Sequence, residues 1–143
     1  MYVSVTTVFN VGDVVEVTDI EGMAANAFFN AHILEVDAEW MQIEYDIVAP
    51  EDETKVIEIV ACNRVRPLPD VIGVASFEIG DLVDVWMTDG WWTDICLGMQ
   101  NGAYAVYCDY MEQEYVVVLE TNIRIARDWK FEEGTSGWVY AKI

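Results

Sequence analysis

A phrase written twice constrains this chain more than any other feature. Phe9 to Val17 reads FNVGDVVEV, and Phe77 to Val85 reads FEIGDLVDV. Phenylalanine, glycine, aspartate and valine recur at a constant offset of 68 residues. The likeness continues beyond the phrase. Phe28-Phe29 stands where Trp91-Trp92 stands. Ile43-Glu44-Tyr45-Asp46 echoes Val106-Tyr107-Cys108-Asp109 once the tyrosines are aligned, and Arg64-Val65-Arg66 echoes Asn122-Ile123-Arg124. A long repeat fixes the number of units before any single element is assigned. It divides the 143 residues into units 1–70 and 71–143, joined at Pro67-Leu68-Pro69-Asp70, a stretch stiffened by two prolines. Units of this size are marginally stable alone, so the two are expected to pack on each other.

Each unit reads as short β-strands. In the first they are expected at Val14 to Val17, Phe28 to Val36, Trp40 to Tyr45 and Val56 to Val60, then a helical turn at Cys62-Asn63-Arg64 and a last strand at Val65-Arg66. In the second they fall at Leu82 to Trp86, Trp91 to Met99, Ala103 to Asp109 and Glu114 to Leu119. Asn101-Gly102 and Asp89-Gly90 are turn signals between such runs. No helical period is sustained. The expected fold is all-β, with two small antiparallel barrels in tandem. The tail carries Trp129 and Trp138, and is expected to cover them by packing on the barrels.

Charge limits the partners. The chain holds 26 acids and seven Lys or Arg, for a formal net charge of −19. Residues 1–70 carry −11 and residues 71–143 carry −8, so the acidity belongs to both units. Phosphate backbones are bound through Lys and Arg, so nucleic acid is not an expected partner. A basic peptide is. No apolar run is long enough to span a bilayer, and the amino terminus lacks the form of a signal peptide. Cys62, Cys96 and Cys108 show no metal-ligand spacing and read as reduced thiols.

The string GDLVDVWMTDGWWTD, from Gly80 to Asp94, resembles the second unit of a tandem Agenet pair, the plant-type branch of the Tudor-like domains. Val14 to Pro69 is similar to the first unit, through Glu21-Gly22, Phe28-Phe29, Tyr45-Asp46 and Arg64-Val65-Arg66-Pro67. Ile123-Arg124 and Asp128-Trp129 resemble the close of the second. The likeness covers nearly the whole chain. It implies a chromatin-type reader in the nucleus, with the cytoplasm as the alternative compartment; no cofactor is expected, and the absence of any catalytic constellation argues against an enzyme. Such a reader holds a methylated lysine of a histone tail in an aromatic cage, where ring faces attract the charge and methyls leave water.

On that resemblance the cage candidates are Trp86, Trp91, Tyr107, Asp109 and Tyr110 in the second unit, and Asp19, Phe28, Tyr45 and Asp46 in the first. Neighbours in a strand face opposite ways. Placing Phe29 and Trp92 inward keeps Ala31 and Ile33 inward and leaves Phe28 and Trp91 for the rim. Asp94 then falls where the first unit has the inward Ala31. Either a bulge turns it out, it is functional, or the register is off by one. The only histidine, His32, lies in an apolar strand and reads as structural, and no nucleophile has a base within a motif. The alternative function is a scaffold that binds an unmodified basic peptide in the groove between the barrels.

Overall fold

The structure is a computed structural model, and it describes residues 9–18, 27–48, 55–69, 76–87, 89–107, 115–132 and 135–140. The repeated phrase makes the same local structure twice. Gly12 and Gly80 adopt φ of +93° and +97°, a region in which a Cβ is strained. The Asp13 and Asp81 carboxylates each accept the amide three residues back, from Asn10 and Glu78, at 2.9 Å. The Gly12 amide then donates to the Ile33 carbonyl, and the Gly80 amide to that of Cys96, at 2.8 Å.

In the first unit this turn leads into β1 (Val14–Thr18), β2 (Ala27–Val36), β3 (Trp40–Val48) and β4 (Lys55–Ala61). A 3-10 turn at Cys62–Arg64 and β5 (Val65–Pro67) follow. In the second unit the strands are β6 (Leu82–Met87), β7 (Gly90–Gln100), β8 (Ala103–Tyr107), β9 (Tyr115–Val118) and β10 (Ile123–Ile125). The chain ends in a hairpin of β11 (Arg127–Glu132) and β12 (Thr135–Tyr140), whose strand character the sequence reading did not foresee. Long β2 and β7 each serve two sides of their barrel by shifting register at one bulge. The bulge lies between Ile33 and Glu35 in β2, and between Cys96 and Gly98 in β7.

Two cores result. One gathers Val15, Val17, Ile33, Met41 and Ile43, and the other Phe77, Val83, Val85, Cys96 and Tyr104. They lie on either side of one continuous antiparallel path, β10-β6-β7-β2-β1-β5. Its centre is the β2–β7 pairing, where Phe28 stands opposite Trp91. Phe28 and Trp91 are the equivalent residues of the repeat, so a pseudo-two-fold axis passes through this pair.

Gly90 shows how tightly the halves meet. Here the positive φ of the Asp89-Gly90 turn is carried by Asp89, at 60°. Gly90 is the first residue of β7, and a Cβ there would stand 2.7 Å from the Phe29 ring and 3.2 Å from the Phe28 carbonyl oxygen. Close approach of the first unit is what requires glycine.

Candidate functional site

On β1 the side chains alternate. Val15 and Val17 enter the core, and Glu16, between them, is also buried at 1 % exposure. Asp84 does the same on β6, between Val83 and Val85. Both carboxylates therefore face the seam between the units, and each meets a buried or half-buried arginine. Glu16 accepts from Arg66 Nε at 2.9 Å and from Arg124 Nη1 and Nη2 at 2.8 and 3.0 Å. Asp84 accepts from Arg124 Nε at 2.9 Å and from the Thr93 hydroxyl, with Arg66 Nη2 3.8 Å away. The four charges form a closed quartet across the pseudo-axis. Burial pulls the Arg66 pKa below its ordinary value, against the opposing charges of Glu16 and Asp84. Burial acts the same way on Arg124, but hydrogen bonds and charge from Glu16 and Asp84 outweigh it and raise the value. Both stay cationic in the working range, and neutralisation by the carboxylates is what makes their burial tolerable.

The quartet sets the surroundings of two expected cage rings. The Arg66 guanidinium lies 3.3 Å from the Phe28 ring centroid, and that of Arg124 lies 4.1 Å from the Trp91 centroid. Phe28 and Trp91 are thus half-buried seam residues, each with a guanidinium of the chain on its ring, rather than free rings on a rim. Trp86 packs edge-on against Trp91, with centroids 5.3 Å apart, and is half-buried at the tip of β6. Tyr45 is a core residue at 8 % exposure, with its hydroxyl 3.4 Å from Glu58 Oε2. Tyr107 lies on the opposite, outer surface, 39 % exposed and opposite Tyr115.

The two tyrosines are therefore not equivalent. Ile43 pairs with Ile33, and Val106 with Cys96, so the residue matching Tyr107 is Glu44. Aligning tyrosine with tyrosine slips the strand by one residue and reverses its faces. Asp46 is exposed and sits 3.4 Å from His32 Nδ1, whose other nitrogen is 3.7 Å from Glu44. His32 thus stands among carboxylates on the outer face, where apolar neighbours were expected. Asp19, Asp109 and Tyr110 lie outside the described residues.

Trp92, expected in the second core, instead meets Phe29 edge-on at 6.1 Å in the seam and donates Nε1–H to the Met87 carbonyl at 2.7 Å. Asp94 keeps the expected register opposite Val83, and its carboxylate accepts the Ile95 amide at 2.8 Å. Among the described residues no group of three His, Cys, Asp or Glu side chains could hold a metal ion.

No family model matches the sequence. Two Arabidopsis thaliana proteins do. One is the Agenet domain (AGD)-containing protein P1, 27% identical over 124 residues, and the other is DUF724 domain-containing protein 6, 28% identical over 131. They cover 85% and 87% of this chain, which spans only 24% and 19% of their lengths. Among solved structures, Arabidopsis thaliana AGDP1 AGD34 superposes with a TM-score of 0.81 at 26% identity, over 93% of this chain and 90% of its own. The ADCP1 tandem Agenet domain 3-4 gives 0.76 at 26%, over 93% and 88%. The chain is a tandem Agenet protein.

The quartet of this Agenet pair lies outside the site residues expected from the sequence. Its signal was present in VVEV and LVDV, where an acid interrupts an apolar strand at the same place in both repeats. A second signal was an arginine at the matching place of both closing strands, in a chain with few bases.

Proposed function

We propose that this Agenet pair is a nuclear reader of a methylated lysine on a basic tail of the histone type. Its broader role as a Tudor-like interaction module follows from its relatives. The observation that supports the finer reading is the Trp86–Trp91 pair, two indoles 5.3 Å apart at the tip of the second unit. Arg124 already lies on Trp91, so Trp86 is the ring with the greater share for a ligand. Indole is the strongest of the neutral rings toward a methylammonium, and the net charge of −19 draws basic segments to the surface.

Calorimetric titration of one basic peptide, carrying the same lysine with zero to three methyl groups, tests this. Methylation is expected to tighten binding, and Trp86→Ala to remove the gain. Equal affinity across the series would move the function to recognition of unmodified basic peptide.

A further inference from the structure

Thr18 and Trp86 occupy the same place in the two units. Thr18 stands opposite Phe28 on β2, and Trp86 opposite Trp91 on β7. An indole fills space in the second unit that a threonine leaves open in the first. What is left open is a cavity of about 320 Å³, walled by Phe28, Val65 and, from the terminal hairpin, Trp129.

The polar lining of this cavity is rich in acceptors that lack donors. Thr18 is only 9% exposed, and its Oγ1 has no hydrogen-bond partner among the described residues. Asp128 reaches the cavity from β11, and its carboxylate has no ion pair or hydrogen bond among the described residues. Asn63 adds an amide oxygen. The two arginines of the lining are already engaged. Arg64 donates to the Thr18 carbonyl at 2.7 Å and to Glu58 at 2.9 Å. Arg66 is held by Glu16 and by the Arg127 carbonyl. Once they are matched with their carboxylates, Asp128 is the charge in excess.

We propose that this cavity seats an arginine side chain of a partner protein. Its guanidinium lies on Trp129, forks onto the Asp128 carboxylate, and gives a further N–H to Thr18 Oγ1. The chain uses the same chemistry twice internally, with Arg66 on Phe28 beside Glu16 and Arg124 on Trp91 beside Asp84. A planar fork with five donors suits three separated acceptors and an aromatic wall. A lysine ammonium, a compact point charge, does not match them together.

The site is independent of methylation, so the test uses two unmethylated peptides. Both are capped lysine–glycine repeats, one with a single central arginine and the other with lysine in its place. The arginine peptide is expected to bind about ten-fold tighter, as for one bidentate charge-assisted contact. Asp128→Asn, at an exposed position of β11, is expected to erase that preference at an unchanged melting temperature. Thr18→Trp, which copies the second unit, is expected to erase it by filling the cavity. Three results would each overturn the proposal: equal binding of the peptides, binding of neither, or an arginine preference that survives Asp128→Asn. If Thr18→Trp does not fold, the Asp128→Asn comparison decides alone.

Discussion

Neutralising Glu16 should separate the two units energetically. Its carboxylate is 1 % exposed and takes four close contacts from Arg66 and Arg124, between 2.8 and 3.0 Å. In Glu16→Gln two guanidinium groups remain in the seam with only Asp84 to balance them. Removing one member of a buried charged group costs about 3–5 kcal/mol, because an uncompensated charge stays out of water. For a cooperative chain of this length each kcal/mol shifts the melting point by about 3–4 °C, so the fall should be about 10–20 °C. The matched control is Glu58→Gln, whose partner is Arg64 and whose side chain is 40% exposed. The Arg64 side chain is only 12% exposed but keeps the Thr18 carbonyl as a partner, so losing the half-open Glu58 carboxylate should cost only about 1 kcal/mol. Scanning calorimetry on both variants reads the difference. Replacing all four quartet residues by apolar ones of similar size should recover much of the loss, since no charge is then stranded. If Glu16→Gln melts within about 3 °C of the parent, water reaches the quartet and the argument from burial is refuted.

Gly90→Ala should destabilise the fold by about 1–3 kcal/mol by forcing a Cβ onto Phe29 and the Phe28 carbonyl, which urea melts would detect. Burial, aided by Asp37 and Glu39, raises the Cys62 thiol pKa. Alkylation at Cys62 should therefore lag behind that of a free thiol at neutral pH and catch up only under alkaline conditions, as read by peptide mass spectrometry. The same shift gives a stabilising contribution that is full below the unfolded-state pKa and is lost as pH rises through the raised value. Affinity for a basic peptide should fall as ionic strength rises from about 0.05 to about 0.5 M, and a gel shift should find no duplex DNA binding at physiological salt. We propose that residues 1–70 and 71–143 behave as one rigid body. Limited proteolysis near Leu68 should then fail to release two separately stable pieces.

Most of the fold was legible because the repeat carries its own instructions. Gly12 and Gly80 announce positive φ, Asn101-Gly102 a tight hairpin with φ of 53° and 83°, and alternation assigns Val15, Val17, Val83 and Val85 to the cores. What alternation cannot give is the identity of the second face. It marks Phe28, Trp91, Glu16 and Asp84 as not facing the core, and a lone barrel would expose them to solvent. They are covered because the other barrel lies there, and contacts between units have no local period. The tyrosine slip has a related origin. Tyr45 and Tyr107 are alike in type but out of phase, and in a strand phase decides the face.

The pseudo-symmetry also separates structural from recognition duties. Equivalent residues that meet at the axis, Phe28 with Trp91 and Glu16 with Asp84, are each answered by an arginine of the chain itself. The centre of the seam between the barrels is thus occupied by the molecule's own cations, and on the function proposed above a basic ligand would find its place farther out. The places where the repeat breaks are different. Trp86 replaces Thr18, Tyr107 replaces Glu44, and Asp128 with Trp129 follows only the second unit. They give one acidic scaffold two unlike tips, an indole pair at one and an acceptor-lined cavity at the other. A ligand spanning both would be read in one direction only.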